Sequence, residues 1–539
     1  MSLHGKNKIY LDETRSVEER AKDLLLDMSL EEKMAQVNCV FPFDKKAMDL
    51  AWIAERVPYG IGEVSTLEMR RIPTLQGAAQ WVKDVQTLVM EKSPHHIPAI
   101  FHMEGLCGAF IQEATSFPSG IARGASFDPD LEEQIGSCVA EQELACGITH
   151  ILAPVLDISR DSRMGRQGES YGEDPALASA MGVAYTKGIQ ETSVDGRQAE
   201  SVAKHFLAFH NSQGGIHGTH SDTPERLLQE IYGKPFQAAI KEAGLRGIMP
   251  CYCSIDGEPA SLSHKLLTDL LREQMGFDGL CISDYGGIEN SHNYQRIGES
   301  MADAGEMALA AGMDVEMPSP AGYGKELQER FANQALDIGV LDQAVYRVLC
   351  AKFRMGLFEH PYPLMDDKLE NVYRKADKGK QLTRQSAMES MTLLKNDGIL
   401  PLRKDKIKKI AVIGPHADNA RMFFGGYTHI SMMESIYAVA NSIAGVAGIE
   451  NTTGKTIPTV PGTDIQLDQG EEYDAILRTQ KPDCPSLLEY LKAYAPSCEI
   501  VYAKGYDIAG QDQSGFDEAL QMIGQADLAI LTLGGKYGT

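Results

Sequence analysis

Short apolar runs bounded by turn residues recur along the first two thirds of the chain, and amphipathic segments lie between them. The apolar runs predict buried strands at 97–101, 148–156, 201–209, 245–255, 279–285 and 312–317. The amphipathic segments predict helices at 131–145, 175–190, 224–243, 263–275 and 300–311. Because strand and helix alternate, we expect βα units and a parallel sheet.

Two of the expected helices carry start signals. Ser29 followed by Glu32 fits a capping box, and Thr223 before Pro224 predicts a capping hydroxyl with proline at the first helical position. Six strands, with weaker ones before residue 95, favour a (β/α)8 TIM-barrel-like N-terminal domain over a small doubly wound sheet.

The pattern is interrupted after this barrel and then restarts. The charge-rich stretch after HPYPL predicts a linker at 359–385, between a barrel domain at 1–358 and a second domain at 386–539. Strands at 408–414, 500–503 and 528–533, with a helix at 515–525, indicate an α/β-sandwich domain that stops just after its last strand. We therefore expect this second domain to be truncated.

Composition narrows the class of protein. The chain has 539 residues, 43% of them apolar and 23% charged, which is typical of folded globular proteins. Its net charge of −24 would repel nucleic acids and anionic membranes, so neither is an expected partner. The ten cysteines form no CxxC pair, and no leader-like or membrane-spanning run is present. These features predict a cytoplasmic location; they neither predict nor exclude a homo-oligomer.

Polar residues follow several of the predicted strands, where barrel enzymes place reactive groups. Singly, each has an ordinary interpretation: a lone Asp is usually a cap, and an Arg–Glu cluster is usually an ion-pair network. Together at one face they would line a pocket suited to sugars, in which one carboxylate attacks the anomeric carbon and a nearby cation keeps it ionised. The candidates are Glu104, Arg160, Arg163, Arg166, Glu169, Lys204, His205, Tyr252 and Asp284.

Two further patterns are weaker. His210, His217, His220 and Asp222 lie in a Gly-rich segment, but their spacing matches no standard metal site, so a polar loop over the pocket is the favoured interpretation. The turn at Gly414 lacks the rest of a GxGxxG fingerprint, which favours an ordinary strand end over a nucleotide site.

At these residues the sequence resembles glycoside hydrolase family 3. The motifs that carry the resemblance run through most of the chain: IPAIFHMEGLCGA, FPSGIARGASFDPDL, VLDISRDSRMGRQGESYGEDPAL, AKHFLAF, IMPCYCSIDGEPAS, GFDGLCISDYGGI and SAMESMTLLKNDGILPL. The resemblance implies a barrel followed by an α/β-sandwich, a retaining exo-acting β-glycosidase, and neither metal nor organic cofactor.

The same resemblance assigns roles to individual residues. It implies that Asp284 in SDY is the nucleophile and that Lys204 and His205 hold sugar hydroxyls in the −1 subsite. It places the family's WGR arginine on Arg166, and Tyr252 on the tyrosine of the family's substrate pocket.

Three positions depart from the family pattern. Glu104 stands where most β-glucosidases of the family have Asp; its extra methylene intrudes on the space of a C6 hydroxymethyl and favours a β-xyloside over a β-glucoside. Tyr285 replaces the tryptophan after the nucleophile and would give a smaller aromatic wall. Met164 replaces the tryptophan of WGR. Because of these two replacements, the resemblance does not define the outer subsite.

The family's general acid/base is a glutamate of the second domain, and we expect it beyond Thr539. The leading hypothesis is a retaining exo-β-glycosidase that acts on terminal β-xylosides or β-glucosides of short oligosaccharides or aryl glycosides. Two alternatives stay open: a sugar-binding chain without turnover, and an N-acetylhexosaminidase or phosphorylase whose acid/base lies in the 210–222 loop.

Overall fold

The computed structural model describes residues 8–43, 48–374, 376–403, 406–438, 470–508 and 510–535. The chain divides into two compact units, with the boundary between Ser390 and Met391.

The first unit is built on a curled, seven-stranded parallel sheet. In spatial order its strands are Cys39–Val40, Glu63–Ser65, Ile100–Met103, His150–Ile151, Glu200–Phe206, Gly247–Pro250 and Leu280–Cys281. Val315 forms a parallel bridge with Ile282, and Glu316 forms one with Asn38, so the segment at 315–316 links the two edges of the sheet. The expected α/β class with a parallel sheet is confirmed.

Helices connect the strands and continue past the sheet. The α-helices of the first unit include Val17–Asp27, Leu30–Gln36, Leu50–Arg56, Leu75–Lys92, Gly120–Gly124, Pro129–Ala145, Pro175–Gln190, Glu225–Leu227, Lys234–Ala243, Gly287–Asn293, Met301–Ala311, Lys325–Ala332 and Ile338–Arg354. Lys265–Gln274 and the short Leu228–Tyr232 have π-type hydrogen bonding. Two antiparallel hairpins pair Ser193–Val194 with Arg197–Gln198 and Ser254–Ile255 with Glu258–Pro259.

Local signals explain where several helices begin. The capping box at Ser29 and Glu32 is present, with the Ser29 hydroxyl accepting from the Glu32 N–H and the Glu32 carboxylate accepting from the Ser29 N–H. The expected Thr223 cap is wrong. That helix begins at Glu225, and the Thr223 hydroxyl instead accepts a hydrogen bond from Asn211 at 2.6 Å. The Thr223 hydroxyl therefore forms a hydrogen bond within the loop instead of capping the helix, as the sequence pattern had predicted.

The segment expected to be a linker is structured differently. Residues 359–385 contribute to two helices, Asp366–Arg374 and Ala376–Glu389. Leu369 and Tyr373 are buried, and Tyr373 donates a hydrogen bond to the carbonyl of Gln142 at 2.9 Å. The charged residues that suggested a linker belong to helices whose apolar residues pack onto the first unit.

The second unit contains a three-stranded parallel sheet. Lys409–Ile413 lies in the centre, between Glu499–Ala503 and Leu528–Leu531. Its helices include His429–Ala438, Gly470–Gln480, Leu487–Tyr494 and Phe516–Gly524. Gly414 ends the central strand with φ +123°, and a Cβ there would meet the Thr532 carbonyl oxygen at 2.4 Å, so close packing explains this glycine. In the described parts of both units, no helix combines the length and the apolar character needed to cross a bilayer.

Candidate active site

The carboxyl ends of the parallel strands bring most of the expected residues together. Lys204 and His205 lie near the end of Glu200–Phe206, Glu104 directly follows Ile100–Met103, and Asp284 follows Leu280–Cys281. Parallel strands place their carboxyl ends on one side of a sheet, which is why residues far apart in sequence meet here. Lys204, His205 and Asp284 are 2%, 1% and 9% exposed, so the group is largely shielded from solvent.

Asp284 presents one carboxylate oxygen to this group. Its Oδ1 accepts a hydrogen bond from the main-chain N–H of Tyr285 at 2.7 Å. Its Oδ2 lies 3.7 Å from Nε2 of His205 and has no hydrogen-bond partner among the residues that the structure describes. Burial raises the pKa of Asp284, while the positive charges of Arg166 and Lys204 act to lower it. Asp284 is thus a buried carboxylate whose Oδ2 has no hydrogen-bond partner among the described residues.

Lys204 and Glu104 form a buried ion pair beside Asp284. The Lys204 ammonium group donates a short hydrogen bond to Oε2 of Glu104. Pairing compensates for removing both charges from water. The pair places a cation and a carboxylate side by side, an arrangement that can both donate to and accept from hydroxyl groups.

His205 is oriented by Asp157 on one side and Arg166 on the other. Its Nδ1 lies 2.8 Å from Oδ2 of Asp157, and its Nε2 lies 3.2 Å from Nη2 of Arg166. Because a guanidinium group only donates, Nε2 must accept, and the proton of the neutral ring is on Nδ1, donated to Asp157. Burial, together with the charges of Arg166 and Lys204, lowers the pKa of His205 well below its usual value.

Arg166 lies between two imidazole rings. Besides His205 it donates to Nε2 of His217 at 3.2 Å, and it forms a bidentate pair with Glu169 at 2.7 and 2.8 Å. Burial and the Arg166 charge lower the pKa of His217 to about 3. The Arg–Glu cluster is therefore both an ion-pair network and a part of the site.

Two candidate arginines lie outside this network. Arg163 forms a pair with Asp161 in which its side chain is 68% exposed. Arg160 donates to the main-chain carbonyl of Glu173 at 3.3 Å. Met164, which the sequence placed near an outer subsite, is buried in the apolar core.

The histidine-rich loop separates into two parts. His210 and His217 join the site, His210 through Ser159 at 3.2 Å and Asp157 at 3.7 Å. His220 and Asp222 instead line a cavity of about 450 Å³, together with Thr223, Ile255, Glu258 and Lys265. Among the described residues no group of three or more His, Cys, Asp and Glu side chains is arranged to hold a metal ion.

Tyr252 and Tyr285 are connected by a hydrogen bond. The Tyr252 hydroxyl donates to the main-chain carbonyl of Tyr285 at 2.8 Å. The Tyr285 hydroxyl lies 3.1 Å from both Ser65 and His102. The expectation of Tyr285 as a smaller aromatic wall is therefore incomplete, because its hydroxyl is anchored among strand residues.

Sequence reasoning missed four residues that support the site: Asp157, Glu63, Ser65 and His102. Asp157 follows the strand His150–Ile151, the same signal that identified Asp284, but VLDIS lacks a neighbouring motif to single it out. Glu63, Ser65 and His102 lie inside strands, where a polar residue gives no sign of what it faces.

Comparison with known families identifies both units. The model described as "Glycosyl hydrolase family 3 N terminal domain" matches residues 29–351. The model described as "Glycosyl hydrolase family 3 C-terminal domain" matches residues 391–538. The expectation that the second domain is truncated is thus not supported, because the match to the C-terminal domain runs through 391–538.

Individual similar proteins are named either β-xylosidase or β-glucosidase. A β-xylosidase from Formosa agariphila is 32% identical over 462 residues, which cover 82% of this chain and 57% of that protein. A periplasmic β-glucosidase from Salmonella typhimurium is 30% identical over 526 residues, covering 96% of this chain and 62% of that one. The chain thus spans about three fifths of the length of these two relatives.

A solved β-glucosidase structure from Erythrobacter marinus superposes with a TM-score of 0.81 at 27% identity, covering 99% of this chain and 67% of that one. The similarity thus extends through both units, in sequence and in fold. With family models that match residues 29–351 and 391–538, the chain belongs to glycosyl hydrolase family 3.

Proposed function

We propose that the chain is a retaining, exo-acting β-glycosidase that hydrolyses terminal β-xylosides or β-glucosides of short oligosaccharides. The observation that carries this proposal is the geometry at Asp284: a buried carboxylate whose Oδ2 lies 3.7 Å from Nε2 of His205 and has no hydrogen-bond partner among the described residues. In a retaining mechanism such a carboxylate attacks the anomeric carbon and forms a covalent glycosyl-enzyme, which water then hydrolyses.

The charges around Asp284 suit a nucleophile. A carboxylate attacks only when ionised, and burial alone opposes ionisation by raising the pKa of Asp284. Arg166 and Lys204 offset this effect, since both place positive charge near the carboxylate. Both cations therefore favour the ionised form that a nucleophile requires, against the effect of burial.

The remaining polar groups suit recognition of sugar hydroxyls. Lys204 and Arg166 supply donors and Glu104 supplies an acceptor, while the lone pair on Nε2 of His205 already accepts from Arg166. Hydroxyl groups both donate and accept, so alternating donors and acceptors can bind several hydroxyls of one terminal sugar. We assign these residues, with Tyr252 and Tyr285, to the −1 subsite.

A covalent trap tests the nucleophile. Incubation with a 2-deoxy-2-fluoro-β-xyloside should add one sugar to the protein, and peptide mass spectrometry should locate it on Asp284. Asp284→Ala should take up no label, whereas Asp161→Ala, which alters a partly exposed carboxylate in a neighbouring loop, should label normally. A sugar on any other residue would refute the assignment, and binding without an adduct would favour a sugar-binding chain.

Glu104 is the proposed determinant of sugar choice. Its ion pair with Lys204 holds the longer carboxylate inside the pocket, where it competes with a C6 hydroxymethyl group for space. One methylene in a pocket changes selectivity by roughly 10- to 200-fold. We expect kcat/KM for 4-nitrophenyl β-xyloside to exceed that for the β-glucoside by about 10-fold or more.

Glu104→Asp should shrink this preference, because the shorter side chain vacates the space for C6. Glu113→Asp, a matched change at an exposed glutamate, should leave the ratio unchanged. A wild-type preference for the glucoside would contradict this role of Glu104 without touching the role of Asp284.

A further inference from the structure

The Tyr285 side chain contacts residues from parts of the chain far from the strand Leu280–Cys281 that precedes it. Its hydroxyl lies 3.1 Å from Oγ of Ser65 and 3.1 Å from Nε2 of His102. Its ring stacks on Phe41, with centroids 5.9 Å apart and planes 15° apart. Both hydrogen-bond partners belong to strands on the far side of the curled sheet from Leu280–Cys281, so the hydroxyl connects distant parts of the sheet.

His102 is itself fixed by Glu63. Both side chains are fully buried, and Nδ1 of His102 lies 2.8 Å from Oε2 of Glu63. Burial alone would raise the pKa of Glu63, but the neighbouring His150 and the hydrogen bond from His102 lower it to about 2. Glu63 is therefore a carboxylate that accepts a hydrogen bond from Nδ1 of His102, and in the neutral ring Nε2 can accept from a hydroxyl.

Tyr285 supplies that hydroxyl proton. Burial raises the pKa of Tyr285 well above its usual value, so the phenol stays protonated and can donate to Nε2 of His102. Glu63, His102 and Tyr285 then form one chain of hydrogen bonds with a single direction, and each group fixes the orientation of the next.

The main chain of Tyr285 forms hydrogen bonds with two residues of the site, Asp284 and Tyr252. Its N–H donates to Oδ1 of Asp284 at 2.7 Å, and its carbonyl accepts from the Tyr252 hydroxyl at 2.8 Å. A shift of the Tyr285 ring would move both atoms. The Asp284 carboxylate would then lose the hydrogen bond that holds its Oδ1 in place.

We propose that Glu63, His102 and Tyr285 are positioning residues, and that their buried hydrogen-bonded chain aligns the Asp284 carboxylate for attack. This inference rests on the proposed function, in which Asp284 is the nucleophile. It gives the Tyr285 hydroxyl a role in the reaction that is separate from any contact its ring makes with a sugar in the −1 subsite.

Tyr285→Phe tests the hydroxyl while keeping the ring and its stacking on Phe41. Misplacing a reacting group by about 1 Å can cost roughly 100-fold in rate. We expect kcat for an aryl β-glycoside to fall about 10- to 100-fold with KM changed less than about 2-fold, since the lost interaction acts on the reaction step. Tyr294→Phe, a matched change at a 62% exposed tyrosine, should leave kcat unchanged.

A cycle with the nucleophile shows whether the hydroxyl acts through Asp284. In Asp284→Ala, azide can replace the missing carboxylate and restore turnover. Adding Tyr285→Phe to this azide-rescued variant should cost less than about 2-fold, because there is no carboxylate left to align. An equal loss in both backgrounds, or a loss expressed in KM alone, would overturn the proposal.

A crystal structure of Tyr285→Phe gives a readout that does not depend on activity. The Asp284 carboxylate should rotate or shift relative to the unchanged protein; an unaltered carboxylate would overturn the proposal even if the chain proved not to be a glycosidase. Should Tyr285→Phe not fold, Ser65→Ala removes one of the two hydroxyl partners and should lower kcat in the same way by a smaller factor. Activity that survives Asp284→Ala would refute the proposed function itself.

Discussion

At the scale of single residues, protonation at the site follows from what each neighbour can donate. Arg166 donates to Nε2 of His205 and to Nε2 of His217, so both rings are neutral acceptors at those atoms. Oδ2 of Asp157 accepts a hydrogen bond from Nδ1 of His205 at 2.8 Å. Asp157 thus controls the tautomer of a ring that faces the proposed nucleophile.

Asp157→Asn should lower kcat/KM about 10- to 100-fold, because the amide can present a donor to Nδ1 and turn the ring away from its present orientation. Steady-state kinetics on an aryl β-glycoside would measure the effect. Asp161→Asn, which changes a partly exposed aspartate four residues later, should keep kcat/KM within about 2-fold of the unchanged protein. Equal activity of both variants would show that Asp157 does not orient the ring.

The sequence predicted Asp284, Lys204, His205, Tyr252 and Glu104 as site residues because each ends or directly follows an apolar run, and Arg166 because it lies in the loop after one and matches a family motif. It missed Asp157 and His102 because their partners come from other strands. Asp157 contacts a residue 48 positions away, and His102 contacts Tyr285, 183 positions away. No local pattern encodes such pairs.

At the scale of elements, capping signals were informative where the capping side chain had no competing partner. Ser29 and Glu32 form the expected capping box, although Glu32 also pairs with His95 at 2.8 Å. Thr223 failed as a cap because its hydroxyl bonds within the loop. The helix expected at 224–243 also breaks near Pro235, since a proline cannot donate the hydrogen bond that a continuous helix requires.

Ser29→Ala should lower the free energy of unfolding by about 1 kcal/mol, because it leaves an N–H of the first helical turn without its side-chain acceptor. Urea denaturation followed by circular dichroism would measure the change, and kcat should stay the same. Ser193→Ala, at an exposed serine of a hairpin, should change the unfolding free energy by less than about 0.5 kcal/mol. A loss of the same size in both variants would contradict a capping role for Ser29.

At the scale of the whole first unit, hydrogen bonds of Lys352 connect a C-terminal helix of the unit to residues that precede the first two strands of the sheet. It lies on Ile338–Arg354, is fully buried, and donates to Oε1 of Gln36 at 2.5 Å and to the carbonyl of Ile61 at 3.4 Å. Burial lowers the pKa of Lys352 to about 7, although the Glu63 charge acts to raise it. The folded protein therefore binds this proton less tightly than the unfolded chain does.

This difference predicts a pH-dependent stability. Between about pH 10.4, where a free lysine titrates, and about pH 7, the unfolded chain holds a proton on Lys352 that the folded protein lacks. Falling pH therefore destabilises the folded state across this window, with no further loss from this group below it.

Lys352→Met removes the titration, so the variant should gain stability relative to the unchanged protein as pH falls from 9.5 to 7.5, both within the window of roughly 10.4 to 7. Urea midpoints at three pH values would measure the difference. Lys325→Met, at a lysine whose side chain is 88% exposed, should give a curve parallel to that of the unchanged protein. Parallel curves for Lys352→Met as well would contradict the lowered pKa.

The sequence by itself determined the α/β class, the restart of the pattern in a second unit, and the residue types at the strand ends. These depend on periodicity and on short spacings, which a linear chain displays directly. It also carried the family resemblance, because motifs such as AKHF and ISDY are local.

Only the tertiary structure decided which polar residues meet. It separated Arg160 and Arg163 from Arg166, folded the expected linker into helices, and turned the Tyr285 hydroxyl toward Ser65 and His102. The physical reason is that hydrogen bonds between buried groups are set by the curvature and register of the sheet, which bring together residues such as Ser65 and Tyr285, 220 positions apart.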